Sequence, residues 1–195
     1  MSWYDQYKQI STSLLAALMM VSHGYSIESS AEANDVSVDD VRRVLEEHSN
    51  DTAEMNNTNN VSMMDIVNTI IQLEGASETF IGPSNDTGVM QMLPGTWEEM
   101  NRRYYGGKLP YSKYKFNRRA QIIIGRQYVL HISNWLDRYK NMWKASKSFL
   151  IFATYNGGMG NVKRNAFDAE VIKKNLPSVY DYAERGCNLT GESIK

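Results

Sequence analysis

The sequence predicts a mainly α-helical protein. Three features carry that expectation. Apolar residues recur at helical spacing in several separate segments, residues that favour helix starts stand in front of them, and glycine or proline closes them. A small N-terminal helical module, residues 1–60, is expected to precede a larger helical domain, residues 61–195, in which one turn-rich loop has room for a small β-hairpin.

In the N-terminal module, Trp3, Tyr7, Ile10, Leu14, Ala17 and Val21 fall at a/d spacing and make one apolar stripe. The apolar run from Leu14 to Val21 is too short for a membrane span, which needs about 20 residues. A cleaved leader is disfavoured, because Lys8 alone would supply its charge and Asp5 offsets it. Asp35 to His48 reads as a short helix, with Ser37 and Asp40 in a capping-box pattern ahead of Val41, Val44 and Leu45. The stretch IESSAEANDVSVDDVRRVLEE resembles a helix-turn-helix in which Asp35 replaces the usual turn glycine. Asp39 and Asp40 would open its recognition helix, so DNA binding is disfavoured against a protein-docking or packing role. The polar run Asn50 to Asn60 reads as a linker.

The larger domain opens with Ser62 and Asp65 as a second capping box. Met63, Ile66, Val67, Ile70 and Ile71 then form an apolar face, and Gly75 supplies a stop. GASETFIGPSNDTG is the turn-rich loop. Thr96 with Glu99 is expected to cap a helix running to Tyr105, ended by Gly106 and Gly107. Asn117 is expected to cap a long central helix through about Lys144, on the periodicity of Ile122, Ile123, Tyr128, Val129, Ile132, Trp135, Leu136, Tyr139 and Trp143. KSFLIFATYN reads as a shorter helix stopped at Gly157 and Gly158. Two more, AFDAEVIKKNL and SVYDYAERG, are separated by Pro177, and a loose polar tail is expected from Asn188.

Composition suits a globular protein of 195 residues, with 4 Trp, 12 Tyr, 5 Phe and 11 Met to fill a core. Cys187 is the only cysteine, so no intrachain disulfide forms. His23, His48 and His131 show no ligand spacing, so no metal or other cofactor is implied. Net charge is −1, unevenly spread. Residues 25–54 carry nine acids against Arg42 and Arg43; residues 101–195 carry eighteen Lys and Arg against six acids. That basic half either meets an anionic polymer or partner, or simply solvates helix faces.

Glu74 stands out. It closes the helix that starts at Ser62, four residues after Ile70 and seven after Val67, so it shares their apolar face. An unpaired buried carboxylate costs several kcal/mol, roughly. Either Glu74 turns out to water at the helix end, or its environment is there to hold a proton.

Three motifs in order carry a family resemblance: the helix ending in Glu74, then GVMQMLPGTW, then ATYNGGMGNV. Together they resemble the catalytic domain of soluble lytic transglycosylases, relatives of goose-type lysozyme. Gly88, Met90, Gln91, Pro94 and Thr96 match the family's second motif, with Val89 and Leu93 as apolar replacements. Tyr155, Asn156, Gly157 and Gly160 match the third; Ala153 comes one position early and Thr154 stands where the family has Ala. The resemblance covers about residues 61–185, and residues 1–60 have no counterpart in it. Gly75 replaces the usual Ser after the glutamate, the loop to Gln91 is about one residue short, and of the late P-x-x-E-T-R-x-Y segment only Pro177, Tyr180 and Tyr182 survive.

The resemblance implies a lysozyme-like fold and cleavage of the β-1,4 bond between N-acetylmuramic acid and N-acetylglucosamine in peptidoglycan, without a cofactor. Glu74 is the implied acid. Met90, Gln91, Tyr155, Asn156 and Tyr182 are implied to bind or position substrate, with Tyr155 hydrogen-bonding near Glu74. Asp86 is a candidate second carboxylate, which would make the enzyme a hydrolytic muramidase; Glu78 is a weaker competitor outside the apolar pattern. A non-catalytic lysozyme-fold docking protein is the alternative of a different class. The expected setting is a phage virion or tail, acting in the host wall, with residues 1–60 docking to other virion proteins. A secretion- or conjugation-complex enzyme, or an exported bacterial envelope enzyme, is the runner-up.

Overall fold

The computed structural model describes residues 61–195 throughout and, ahead of them, residues 14, 17, 26–33, 35, 37–39 and 42. The described residues are mainly α-helical: nine α-helices and one short 3-10 turn, with isolated β-bridges in place of named strands. The chain divides into two compact units, residues 1–60 with 101–110 and residues 61–100 with 111–195.

In the first unit, α1 spans Ile27–Ala33 and begins where the Ser26 hydroxyl accepts the Ser29 amide at 3.1 Å. Leu14, Ala17, Ser30 and Ala31 are buried. Asp35 adopts a left-handed φ of 51°, at the position the sequence marks as a glycine-like turn. The Arg42 guanidinium lies 3.4 Å from Asp39 and 3.7 Å from Glu28; exposed pairs of this kind contribute at most about 1 kcal/mol each. In the second stretch of this unit, the buried Asn101 carboxamide accepts the Leu109 amide at 2.8 Å, closing the turn at Gly106 and Gly107. Most of the stripe from Trp3 to Val21, most of the 35–48 helix and the linker to Asn60 lie outside the described residues.

The second unit begins with α2, Met63–Glu74, where Ser62 and Asp65 close the capping box in both directions. Gly75 ends it at a left-handed φ of 58°, its amide bonded to the Ile71 carbonyl at 3.1 Å. Then follow α3 (Pro94–Tyr105, which runs on into the first unit), α4 (Tyr111–Tyr114), α5 (Arg118–Asp137), α6 (Lys147–Gly157), α7 (Met159–Arg164), α8 (Ala169–Asn175) and α9 (Pro177–Thr190).

The central helix is α6 rather than the longer α5. Every residue from Ser148 to Thr154 is buried, and α5, α7 and α9 all pack against α6. A segment that is apolar all round has no face to give to water, so it takes the interior. α2 packs on α5 and α9, and α8 packs on α9. α6 and α9 approach closely at Gly186, where a Cβ would fall 2.6 Å from the Phe152 ring.

Several boundaries differ from the sequence expectation. α3 starts at Pro94, because the Leu93 carbonyl already accepts the Trp97 amide at 3.0 Å; Thr96 therefore lies inside the helix and does not cap it. α5 is capped by Asn117 as expected but stops at Asp137, seven residues short of Lys144. Its last turn tightens, with the Tyr139 amide on the Leu136 carbonyl at 2.7 Å. The Trp143 indole then returns to that carbonyl at 3.2 Å. Tyr139 stacks on Phe167 instead of extending the helix, so the apolar periodicity outlasted the helix it described. The β-hairpin reduces to two isolated antiparallel bridges, Ile81 with Thr87 and Thr87 with Met92. The tail is not loose at Asn188: α9 continues to Thr190, and the Ile194 carbonyl accepts the Ser146 amide at 2.8 Å. The short α4 and α7 are not legible from periodicity.

Candidate active site

Glu74 is the last residue of α2 and is half-buried. The face it shares is closed by Ile66, Val67 and Ile70, all 3% exposed or less. Its Oε1 accepts the Tyr182 hydroxyl of α9 at 2.7 Å. Burial pushes the Glu74 carboxyl above the ordinary carboxylate range; the Tyr182 hydrogen bond opposes this, nearby Asp86 adds to it, and Arg185 opposes it. The net effect favours the proton. The phenol of Tyr182 is held far above the usual range, by burial first and then by the negative charge of Glu74, so it stays protonated and donates to Glu74.

The loop after Glu74 is organised around Thr87. Thr87 exchanges two backbone hydrogen bonds with Met92, at 3.0 and 3.1 Å, and bridges Ile81 on its other side. Its hydroxyl meets the Tyr111 phenol, whose ring packs edge-on against Trp97. Asp86, half-buried, accepts the Ser84 amide at 3.2 Å and lies against Gly82, where a Cβ would fall 2.4 Å from its carboxylate. Glu78 is exposed, and its backbone carbonyl rather than its carboxylate is what the fold uses.

The remaining sequence candidates take distinct positions. Met90 is fully buried, and its carbonyl accepts the Tyr155 hydroxyl at 2.5 Å. Tyr155 lies near enough to Glu74 to feel its charge, as expected, but spends its hydrogen bond on the Met90 carbonyl. Its phenol is pushed well above the ordinary range, first by burial and next by the negative charge of Glu74. The bond to Glu74 comes from Tyr182 instead. Gln91 has a left-handed φ of 43°, and its side-chain amide donates to the Gly88 carbonyl at 2.7 Å, so it braces its own turn. Asn156 is exposed on the last turn of α6. Among the described residues, no group of three His, Cys, Asp or Glu side chains could hold a metal ion.

Two residues that sequence reasoning did not single out belong to this region. Gln121, on α5, is fully buried and uses its carboxamide three times. Its Oε1 accepts the Val89 amide at 3.0 Å, and its Nε2 donates to the carbonyls of Glu78 at 2.7 Å and Lys115 at 2.6 Å. It ties both ends of the site loop to α5. Gly88 is fitted to it, at a left-handed φ of 78° and with a Cβ position 2.1 Å from the Gln121 carboxamide. A polar residue at an apolar register position of a predicted helix was the available signal. The second is Arg185, one turn beyond Tyr182 on α9, which acts on Glu74 electrostatically. Nothing in the sequence marks it.

An all-helical domain that offers one half-buried carboxyl at a helix end, proton-favouring and held by a tyrosine, has the parts of a lysozyme-like glycan-cleaving enzyme. Comparison with family models agrees: the Transglycosylase SLT domain matches residues 51–175, and the chain belongs to that family. The matched stretch takes in Glu74, Gln91 and Tyr155 and ends before Tyr182 and Arg185. Neither the comparison with curated proteins nor that with solved structures gives a match.

Proposed function

We propose that this chain cleaves the β-1,4 bond between N-acetylmuramic acid and N-acetylglucosamine by lytic transglycosylation, with Glu74 as both acid and base. The observation that carries the reading is the environment of Glu74: half-buried, biased toward its protonated form, and oriented by the Tyr182 hydroxyl at 2.7 Å. A glycosidic oxygen is a poor leaving group, so a proton must arrive as the bond breaks. Glu74 gives that proton. The substrate's acetamido group supports the developing positive charge. The Glu74 carboxylate then takes the proton of the C6 hydroxyl, whose oxygen closes onto C1 as a 1,6-anhydro ring. The proton given in the first step is regained in the second, and no water is consumed.

Tyr155 and Gln91 act on the frame: they hold the turn from Gly88 to Gln91 that the Thr87–Met92 bridge closes. Met90 is part of that frame, and Asn156, exposed at the end of α6, is left to meet sugar. Glu74→Gln keeps an acceptor for Tyr182 but cannot give a proton. It is expected to lower cleavage of purified sacculi by at least about 100-fold. Near-normal clearing by this variant in a zymogram would overturn the assignment.

One observation favours a second reading. Asp86 is near enough to act electrostatically on Glu74. If it activates water, the enzyme is a muramidase and its products carry reducing ends. Asp86→Asn separates the two: unchanged anhydro products support the transglycosylase.

The setting we propose is a phage particle, with local wall penetration as the task and residues 1–60 as the docking segment. Supporting a separate role for the N-terminal segment, residues 1–50 lie outside the family match, which takes in residues 51–60. Immunoblotting of purified virions against bacterial envelope fractions tests this; recovery from the envelope of uninfected cells would overturn it.

A further inference from the structure

Arg185 is the cation closest in influence to Glu74, and the reaction proposed above has no use for it there. Its guanidinium sits over the Tyr182 ring, 6.0 Å from the centroid, and the hydroxyl of that ring is the one bonded to Glu74. The side chain is exposed, and among the described residues no carboxylate lies within ion-pair distance of it. Its chain neighbour Glu184 acts on Tyr180, whose phenol is pushed up by burial first and then by the Glu184 charge. The groups that face Glu74 are Asp86 from the loop, Tyr155 from α6, and Tyr182 and Arg185 from α9; Arg185 alone is positive.

An unmatched cation in this place opposes the chemistry twice. It favours the charged form of the acid, and it repels the positive charge that develops on the sugar ring as the bond breaks. Both effects disappear if the substrate itself brings an anion to the guanidinium. The muramic acid residue at the scissile bond does so: its lactyl oxygen bears a peptide stem with free carboxylates. A guanidinium is suited to them, because its planar fork matches a carboxylate in a bidentate pair.

Resting on the transglycosylase reading, we propose that Arg185 is a specificity residue that pairs with a carboxylate of the peptide stem and so favours stem-bearing glycan over bare glycan. The unpaired guanidinium over Tyr182 is the feature that carries this. Without a stem, Arg185 works against the acid; with one, its charge is neutralised at the moment the proton is needed.

The experiment compares kcat/KM of the full chain on peptidoglycan and on the same glycan stripped of peptides by a muramoyl-alanine amidase. Product release is followed by chromatography. The wild type is expected to favour the stem-bearing polymer by about fivefold at low salt, the size of one exposed ion pair. That preference should fade as salt is raised. Arg185→Gln is expected to bring the ratio of the two rates close to one, and Arg185→Lys, which keeps the charge but not the fork, to leave only part of the preference. A wild type that cuts both polymers equally overturns the stem proposal alone. So does an Arg185→Gln variant that slows both substrates alike, since that marks a structural role. A wild type that cuts neither polymer overturns the transglycosylase reading and this proposal with it.

Discussion

Gln121→Leu removes a side chain of similar size whose value lies in its polar atoms. Three backbone groups lose their partner: the Val89 amide, which is buried, and the Glu78 and Lys115 carbonyls, which are part-buried. A buried, unpaired amide costs about 2 kcal/mol. The two carbonyls regain some water, so together they cost about 1 kcal/mol. The sum, about 3 kcal/mol, is a large share of the 5–15 kcal/mol that holds a typical domain together. At about 2–4 °C per kcal/mol for a chain of this size, Tm should fall by roughly 6–12 °C. Activity per folded molecule should fall by about tenfold or more, because the loop carrying Met90 and Asp86 loses its tether to α5. Thermal melts followed by circular dichroism, with turnover assayed well below the melt, measure both. A Tm within about 2 °C of wild type, with unchanged turnover, would refute the claim that this carboxamide anchors the site.

Glu74 gives a pH-dependent stability prediction. Its folded-state affinity for the proton is raised, so its contribution is fully present below its unfolded value of 4.5 and is lost as pH rises through the folded value. Glu74→Gln escapes that loss; its Tm relative to wild type should therefore climb as pH is raised from 4 toward 8, even as activity vanishes. Tyr182→Phe deletes a hydrogen bond that favours the charged form of Glu74. The alkaline limb of its kcat/KM profile should move to higher pH, and a shift to lower pH would contradict the assigned direction. Gly88→Ala meets both a left-handed φ of 78° and the Gln121 carboxamide. It should cost about 1–3 kcal/mol in urea unfolding together with activity. Gly186→Ala drives a methyl toward Phe152 at the contact of α6 with α9 and should cost about 1–3 kcal/mol. Gly186 lies one turn beyond Tyr182 on α9, so the same displacement should also disturb the Tyr182 bond to Glu74 and lower activity, read as kcat at temperatures where the variant is folded.

Much of the helical layout was legible because it is written locally. Ser62, Asp65 and Gly75 mark both ends of α2 by cap chemistry, and Asn117 marks the start of α5. The end of α5 was not, since Tyr139 and Trp143 continue the apolar rhythm while packing on Phe167 and the Leu136 carbonyl from a turn. Which helix lies at the centre also depends on tertiary packing: α6 is short, and only burial on all sides reveals it. In the site, Glu74 was visible as a carboxyl in an apolar register. Which tyrosine reaches it was not, because Tyr155 and Tyr182 lie on different helices and their hydroxyl partners depend on how α6 and α9 cross. Gln121 was hidden for a similar reason: its three partners are backbone groups 6 to 43 residues away in sequence.

Mass spectrometry of the soluble fragments released from purified peptidoglycan by the 195-residue chain, with Glu74→Gln run beside it, tests the proposal that one carboxyl does the whole reaction. The expected result is fragments ending in 1,6-anhydro-N-acetylmuramic acid, one water lighter than their reducing-end counterparts, and none from the variant. Reducing-end fragments in their place, or the same fragments from Glu74→Gln, would contradict it.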